Sequence, residues 1–200
     1  MNIDNLVNLL EDKGFQDPKT GNLFFGAYIY LYDPASEHEM QKNIKTLTDR
    51  LKRPNNYLDC LTINLFDFFI EYLKGNSFIG TSFFDTALEQ EQVNPDKAID
   101  YLLREIEDDR FYKAFEAKVK NHFSIQNENK KVYLLINGIG EIYPYLRTST
   151  FLKRTEALIK DFKIIVFYPG NYSDNEYTLF KELKTDNIYR VTLLNNLIGD

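Results

Sequence analysis

The chain has 200 residues, a mass of 23.6 kDa and a formal net charge of −6. A content of 44% apolar and 27% charged residues is that of a globular protein with a substantial core, not of a disordered chain. The acidic balance argues against a general affinity for nucleic acid, which needs a basic face. One cysteine excludes an intrachain disulfide and fits a cytoplasmic protein. No apolar run approaches the roughly 20 residues of a membrane span, so no membrane contact is expected.

Strands and helices are predicted to alternate along the whole chain. An apolar stripe from Ile3 to Leu10 predicts a first helix, which the glycine at position 14 would end. Apolar, β-branched and aromatic runs then predict five strands, at residues 23–32, 57–66, 132–137, 164–168 and 187–194. Asp33 and Pro34 close the first of them.

Helical patterns fill the intervals between these strands. The predicted helices are 36–51, 66–74, a region from 95 to 119, a segment lined by Leu152, Thr155 and Ile159, and a short segment from Ser173 with Phe180 and Leu183 inward. Ser36 and Ser173 each precede a glutamate by three positions, which is the spacing of a capping box. The region 95–119 forms either one long helix or two helices broken near residues 108–109. Residues 76–93 are predicted as a connecting segment.

This alternation predicts an α/β fold, with residues 1–200 as a single-domain three-layer sandwich around a mostly parallel sheet of about five strands. It resembles a degenerate P-loop or AAA-like core that lacks the phosphate-binding motifs. The first strand leads into YDPASEHEM, without the glycine-rich loop and lysine that cradle a triphosphate. The third strand ends in Asn137, not in an acidic residue that would hold magnesium. Neither NTP hydrolysis nor a bound cofactor is therefore expected.

Other catalytic arrangements lack their residue types. Zinc needs a cluster of thiolates or imidazoles, and one cysteine with two distant histidines predicts no metal site. Cys60 alternates into a strand and is predicted as a core residue, not a nucleophile. Asp161 and Lys163 have the acid-x-lysine spacing of some nuclease sites, but charges at a helix-to-strand turn are more simply solvated. No catalytic residue is expected, and the chain is predicted not to be an enzyme.

The turn after the third strand carries glycines and an arginine. Gly138 and Gly140 supply either the positive φ of a tight strand-to-helix turn or a close backbone approach to an anion or a partner chain. Arg147 lies at the start of the following helix, for which Thr148 is the predicted N-cap. Because a cation there opposes the helix dipole, Arg147 points either to a carboxylate of the chain or to an external anion.

Aromatic residues fill the same turn and the one after the fourth strand. Tyr143 and Tyr145 either close the core or form a docking patch, because aromatic residues and arginine dominate interface anchors. Pro169, Gly170 and Tyr172 belong either to a type II-like turn or, through free amides, to an anion site. The candidate partner- or ligand-binding residues are therefore Asp33, Pro34, Asn137, Gly138, Gly140, Tyr143, Tyr145, Arg147, Pro169, Gly170 and Tyr172.

At NGIGEIYPYLRTSTFL (137–152) and FYPGNY (167–172) the sequence resembles the BrxB family, a small component of BREX bacteriophage-exclusion systems. Members share an apolar strand, two glycines around a hydrophobic residue, an aromatic-proline-aromatic-Leu-Arg run, a helix, and a strand ending in FYPG-x-Y. Asp33-Pro34 and the length near 200 residues also fit. The resemblance implies a cytoplasmic component of antiphage defence without an established catalytic activity. It further implies an assembly role, in contact with the alkaline-phosphatase-like protein PglZ.

Three functional hypotheses follow, of which the first is preferred. It is a noncatalytic adaptor whose loops 138–147 and 169–172 dock a PglZ-type protein, with other BREX components as further candidate partners. The second is a degenerate nucleotide-binding protein, or a metal-dependent phosphate-ester enzyme or sensor. In it, Asp33 and Glu37 supply carboxylates and the turn after the third strand holds phosphate. The third is direct contact with DNA through the basic edge at residues 45–53, which the acidic net charge opposes.

Overall fold

The computed structural model describes residues 3–17, 26–125, 129–158, 162–184, 188 and 190–198. Within them the helices are α1 (Ile3–Glu11), α2 (Glu37–Leu51), α3 (Leu65–Gly75), α4 (Phe83–Val93), α5 (Pro95–Glu107), α6 (Asp109–Ser124), α7 (Ile139–Ile142), α8 (Thr148–Thr155) and α9 (Asn195–Ile198). The strands are β1 (Ala27–Tyr32), β2 (Leu58–Asn64), β3 (Ser77–Phe78), β4 (Thr81–Ser82), β5 (Lys130–Asn137), β6 (Lys163–Ser173), β7 (Glu176–Leu179), β8 (Leu183–Lys184) and β9 (Thr192–Leu193).

Five strands form a parallel sheet in the order β2-β5-β6-β1-β9. In its centre Ile164 of β6 lies between Leu134 of β5 and Ala27 of β1. The carboxyl-terminal part of β6 pairs with β7 in antiparallel orientation, and β7 pairs with β8 in the same way. The predicted α/β fold with a mostly parallel sheet of about five strands is confirmed. The likeness to a P-loop or AAA-like core and the single-domain extent stay predictions.

Alternating side chains of the central strands contribute to two cores, one on each face of the sheet. Along β6, Ile164, Val166 and Tyr168 pack on the face covered by helices α3 to α8. Ile165 and Phe167 pack on the opposite face, which α1 and α2 cover. A strand buried on both faces needs a continuous apolar run, which is why the sequence predicts this strand so clearly.

Lys163, the first residue of β6, immediately precedes this apolar run, and its environment differs from the sequence interpretation. A solvated charge was the simpler expectation, but the side chain is fully buried. Its Nζ lies 4.1 Å from the ring centroid of Phe15 and 3.4 Å from the hydroxyl of Tyr28. Burial holds the pKa of Lys163 below its usual value, against the opposing effect of Asp17. Asp161, the other half of the acid-x-lysine pair, lies outside the described residues.

The segment after β6 differs most from the sequence expectation. Capping-box spacing predicts a helix here, but residues 176–184 form the β7–β8 hairpin. Asp174 and Asn175 have positive φ values of 54° and 64°, the conformation of a two-residue type I′ turn between β6 and β7. Asp and Asn tolerate this conformation well, so the turn overrides the local helix signal. Phe180 and Leu183, predicted to face inward, are exposed.

Between β2 and β5 the structure decides between the one-helix and two-helix alternatives. Asn94 caps α5 by accepting a hydrogen bond from the amide of Asp96. The two-helix alternative is correct for the region that follows, because Asp108 has extended geometry and accepts a hydrogen bond from the amide of Arg110. Residues 76–93, predicted as a connection, hold the β3–β4 hairpin and α4.

Parts of three predicted elements lie outside the described residues. They are residues 23–25 of the first predicted strand, residues 187 and 189 of the last, and Ile159 of the helix after the third.

Gly138, between β5 and α7, lies close to the side chain of Asn64, and its substitution tests this close approach. Its φ is +75°, and a Cβ there would lie 2.2 Å from Oδ1 of Asn64. We expect Gly138→Ala to lower the free energy of unfolding by about 2–5 kcal/mol, which combines about 1–2 kcal/mol for left-handed backbone with about 1–3 kcal/mol for crowding. Gly80→Ala is the matched control, because Gly80 has a φ of +85° but open space around it. Urea unfolding that shows equal losses in both variants would contradict the close approach to Asn64.

Cys60 is buried in β2, as predicted, and burial raises its pKa to about 11. We expect its thiol in the native protein to react with Ellman's reagent at mildly alkaline pH about 100-fold more slowly than in urea, because the thiolate is the reactive form. Stopped-flow absorbance measures both rates, and Cys60→Ser supplies the blank. Comparable rates in the two states would contradict the buried, protonated thiol.

Candidate functional site

The chain changes direction across the sheet at the carboxyl ends of β1 and β6. From β1 it crosses to β2 through α2, on one face of the sheet. From β5 to β6 it crosses through α7 and α8 on the other face, and β7, which follows β6, packs on that face as well. Neighbouring strands whose connections leave on opposite faces define a topological switch point, where α/β proteins bind ligands. Asp33, Pro34, Pro169 and Gly170 lie at this point.

Asp33 follows β1 and is held by two partners. Its Oδ2 lies 2.6 Å from Nζ of Lys181, and its Oδ1 accepts a hydrogen bond of 3.0 Å from the amide of Ala35. The hydrogen bond from Lys181, followed by that from Ala35, lowers the pKa of Asp33. Asp33 thereby caps the short 3-10 turn that Pro34 begins, whereas Ser36, predicted as a cap, makes no capping hydrogen bond through its side chain.

The tip of the β7–β8 hairpin covers the switch point. The amide of Phe180 donates a 2.8 Å hydrogen bond to the carbonyl of Pro169. Its ring lies against Gly140, where a Cβ would meet ring atoms at 2.8 Å and Cγ of Pro169 at 3.2 Å. The close approach at Gly140 is thus made by a side chain of the protein itself. Sequence reasoning missed Phe180 and Lys181 because it placed them in a helix; the Asp-Asn turn signal could have found the hairpin.

A chain of hydrogen bonds runs along the carboxyl edge of the sheet from β1 to β5. The hydroxyl of Tyr32 donates to Oε2 of Glu37, and Oε1 of Glu37 accepts from Nε2 of Gln41 at 2.9 Å. Oε1 of Gln41 accepts in turn from Nδ2 of Asn137 at 3.0 Å. Burial, followed by the hydrogen bond to Glu37, raises the pKa of Tyr32. Glu37, the second candidate carboxylate, is therefore engaged within the protein.

Two asparagines end the neighbouring strands β2 and β5. Oδ1 of Asn64 accepts hydrogen bonds from the amides of Phe66 and Asp67 and caps α3, while its Nδ2 donates to Glu141 at 2.8 Å. Asn137 is 6% exposed, and its Oδ1 has no hydrogen-bond partner within the part of the chain that the structure describes. A cavity of about 300 Å³ beside α2 borders both asparagines. It is the polar opening at this edge of the sheet.

The loop between α7 and α8 lies on the α3 side of the sheet. Tyr143 and Tyr145 are half-buried against the core, and the ring centroid of Tyr145 lies 6.5 Å from that of Phe69 in α3. Arg147 is exposed and is itself the N-cap residue of α8, one position before the predicted cap, Thr148, which is buried. The two tyrosines help to close the core and still contribute to the surface.

The candidate residues of β6 divide between the interior and the surface. Pro169 and Gly170 are buried in an extended strand, not in the predicted type II-like turn. A Cβ on Gly170 would lie 2.2 Å from the carbonyl oxygen of Thr178, so β7 packs directly on this glycine. Tyr172 is exposed, and its ring centroid lies 4.7 Å from that of Tyr177.

The part of the chain that the structure describes contains neither a metal-binding cluster nor a membrane-spanning helix. Across residues 3–17, 26–125, 129–158 and the other described segments, no group of three or more His, Cys, Asp or Glu side chains is placed to hold a metal ion. In the same residues no helix combines the length and apolar character needed to cross a bilayer.

The basic edge of α2, the candidate for DNA contact, is partly paired with carboxylates of the protein. Arg50 pairs with Asp4, and Nζ of Lys52 lies 3.5 Å from Oδ1 of Asp59.

Comparisons with known proteins agree with the resemblance seen in the sequence. A family model described as BREX protein BrxB matches residues 61–194, about two thirds of the chain. A curated protein named BREX protein BrxB, from Bacillus cereus (strain H3081.97), is 25% identical over 192 residues, which cover 94% of this chain and 93% of that protein. No solved structure gives a significant match. The chain therefore belongs to the BrxB family of BREX proteins.

Proposed function

We propose that the protein is a noncatalytic adaptor of a BREX antiphage defence system and that it binds a PglZ-type protein in the cytoplasm. Family membership makes it a BREX component. The observation that carries the adaptor role is the occupied switch point. Where an α/β enzyme would bind its substrate, Phe180 lies over Gly140 and Lys181 pairs with Asp33.

The carboxylates at this edge support the same role. A general acid or base needs a hydrogen-bonding position directed at a substrate. Asp33 is paired with Lys181, and both oxygens of Glu37 accept hydrogen bonds from the protein. The raised pKa of Cys60 keeps its buried thiol protonated near neutral pH, so it is a poor nucleophile.

We propose that partner contacts use the surface groups of the loops 138–147 and 169–172. Tyr145, Arg147 and Tyr172 reach the surface, and tyrosine and arginine are frequent anchors of protein interfaces. Of the other candidate residues of these loops, Tyr143 is half-buried, and the glycines and Pro169 shape the backbone that carries the anchors. The same loops thus serve the fold and the proposed interface.

The first test is charge reversal at Arg147. We expect Arg147→Glu to reduce co-purification with a PglZ-type partner by roughly tenfold or more, because truncation of an interface anchor typically costs about 2 kcal/mol. Quantitative pull-down of the tagged protein from cells that express the neighbouring BREX genes measures the loss. Lys13→Glu makes the same charge change at an exposed site beside α1, on the other side of the sheet, and should leave recovery unchanged. Equal recovery with both variants would count against these loops as the docking surface.

The second test addresses the nucleotide-binding alternative. With the switch point covered, we expect no thermal shift with ATP, GTP, ADP or cyclic nucleotides, with or without Mg²⁺ or Mn²⁺. A ligand at 100 times its Kd would add about 2.7 kcal/mol, which corresponds to a shift of roughly 5–10 °C for a protein of this size. Differential scanning fluorimetry measures the shift. A shift of this size with any nucleotide would contradict the proposal that the protein binds no nucleotide at the switch point.

A further inference from the structure

An open apolar groove lies among the helices α3, α4 and α5. Its volume is about 350 Å³, and its walls include Phe66 and Ile70 of α3, Leu88 of α4, and Ile99 and Leu102 of α5. These helices belong to the layer that covers one face of the sheet, and the groove lies where α4 and α5 join that layer. Its walls come from three helices, which is the form of site that accepts a further helix.

Two of the apolar side chains that line the groove are exposed. Leu88 is 43% exposed and Ile99 is 42% exposed. Of the eleven large apolar side chains that are exposed among the described residues, five lie between positions 78 and 99. Phe78 and Ile79, at the tip of the β3–β4 hairpin that joins α3 to α4, are two of them. Leu88 and Ile99 line the same groove, and exposed apolar side chains that lie together mark a surface that binds another molecule.

The same helices carry almost the whole net charge of the chain. Residues 83–107 contain seven carboxylates and two cations, a net charge of −5 in a chain of net charge −6. Glu91 lies in the groove, and Glu89 and Asp100 line the adjoining surface of the α4–α5 pair. An acidic surround favours a basic partner and repels nucleic acid, anionic lipid and a second copy of this acidic chain.

We propose that this groove binds a cationic amphipathic helix of a partner protein. Apolar side chains of that helix enter between α3, α4 and α5, and its lysines and arginines face the carboxylates of α4 and α5. The inference rests on the adaptor role and names the partner chemistry for it. Tyr145 also lines the groove, so the groove is continuous with the aromatic loop assigned above to partner contact.

A double substitution in the groove tests the apolar contact. We expect Leu88→Gln with Ile99→Gln to reduce recovery of co-expressed BREX components by roughly tenfold or more, because two anchor side chains lose their burial. Leu197→Gln is the matched control, because Leu197 is exposed to a similar extent, 48%, and lies in α9, outside the groove and the acidic surface beside it. Thermal denaturation checks that both variants remain folded.

Two synthetic helical peptides test whether the groove prefers a cationic helix. Both carry the same leucine stripe, one with lysines and the other with glutamates on its polar face. By fluorescence anisotropy we expect the lysine peptide to bind at least about tenfold more tightly than the glutamate peptide, and its affinity to fall with added salt. We also expect it to lose binding to the Leu88→Gln/Ile99→Gln variant but not to the Leu197→Gln variant. Equal binding of the two peptides would overturn the assignment of a cationic helix.

The outcomes separate this inference from the adaptor role. If the unmodified protein recovers no BREX component, the adaptor role fails. If it recovers a component and the groove variant recovers the same amount, only the groove assignment fails. A self-association that sedimentation detects in the unmodified protein, and that the groove variant abolishes, assigns the groove to a second copy and overturns a heterologous helix.

Discussion

The burial of β6 on both of its faces is the constraint on which the rest of the structure depends. Residues 163–170 are buried, and β6 pairs in parallel with both β5 and β1. Its alternating side chains need a helical layer on each face, so the crossovers must distribute their helices between the two sides. The switch point between β1 and β6 is a direct consequence of that distribution.

The covering of the carboxyl ends of β1 and β6 also follows from the path of β6. The strand continues beyond the parallel sheet to Ser173 and returns through β7, which packs on Gly170. This return brings the hairpin tip over the ends of β1 and β6, where Phe180 and Lys181 take the position that a ligand occupies in other α/β proteins. A scaffold common among enzymes thus presents packed side chains at its usual site, and function has to be argued from its outer surfaces.

Those outer surfaces are concentrated between β2 and β5. The two strands are neighbours, yet the chain passes from one to the other through four helices and a hairpin. Two of these helices, α3 and α6, contribute many large aromatic side chains to the core, whereas α4 and α5 leave apolar and acidic groups exposed. Part of this additional length therefore contributes exposed surface as well as core.

The approximate positions of the five strands of the parallel sheet, the α/β class and the lack of phosphate-binding motifs were predictable from the sequence. They depend on local signals: continuous apolar runs mark buried strands, and Asn94 and Asp108 cap helices through amides two residues away. The covering hairpin was not predictable, because a Ser-x-x-Glu pattern competes with an Asp-Asn turn and only pairing with β6 decides between them.

By itself, the sequence determined the alternation of helices with the five strands of the parallel sheet and the family to which the chain belongs. Tertiary structure alone decided that Lys163 is enclosed by Phe15 and Tyr28, that Asp33 meets Lys181, and that α4 and α5 border an apolar groove. The physical reason is distance along the chain. Asp33 and Lys181 are 148 positions apart, and local propensity carries no information about which remote side chains meet once the sheet has formed.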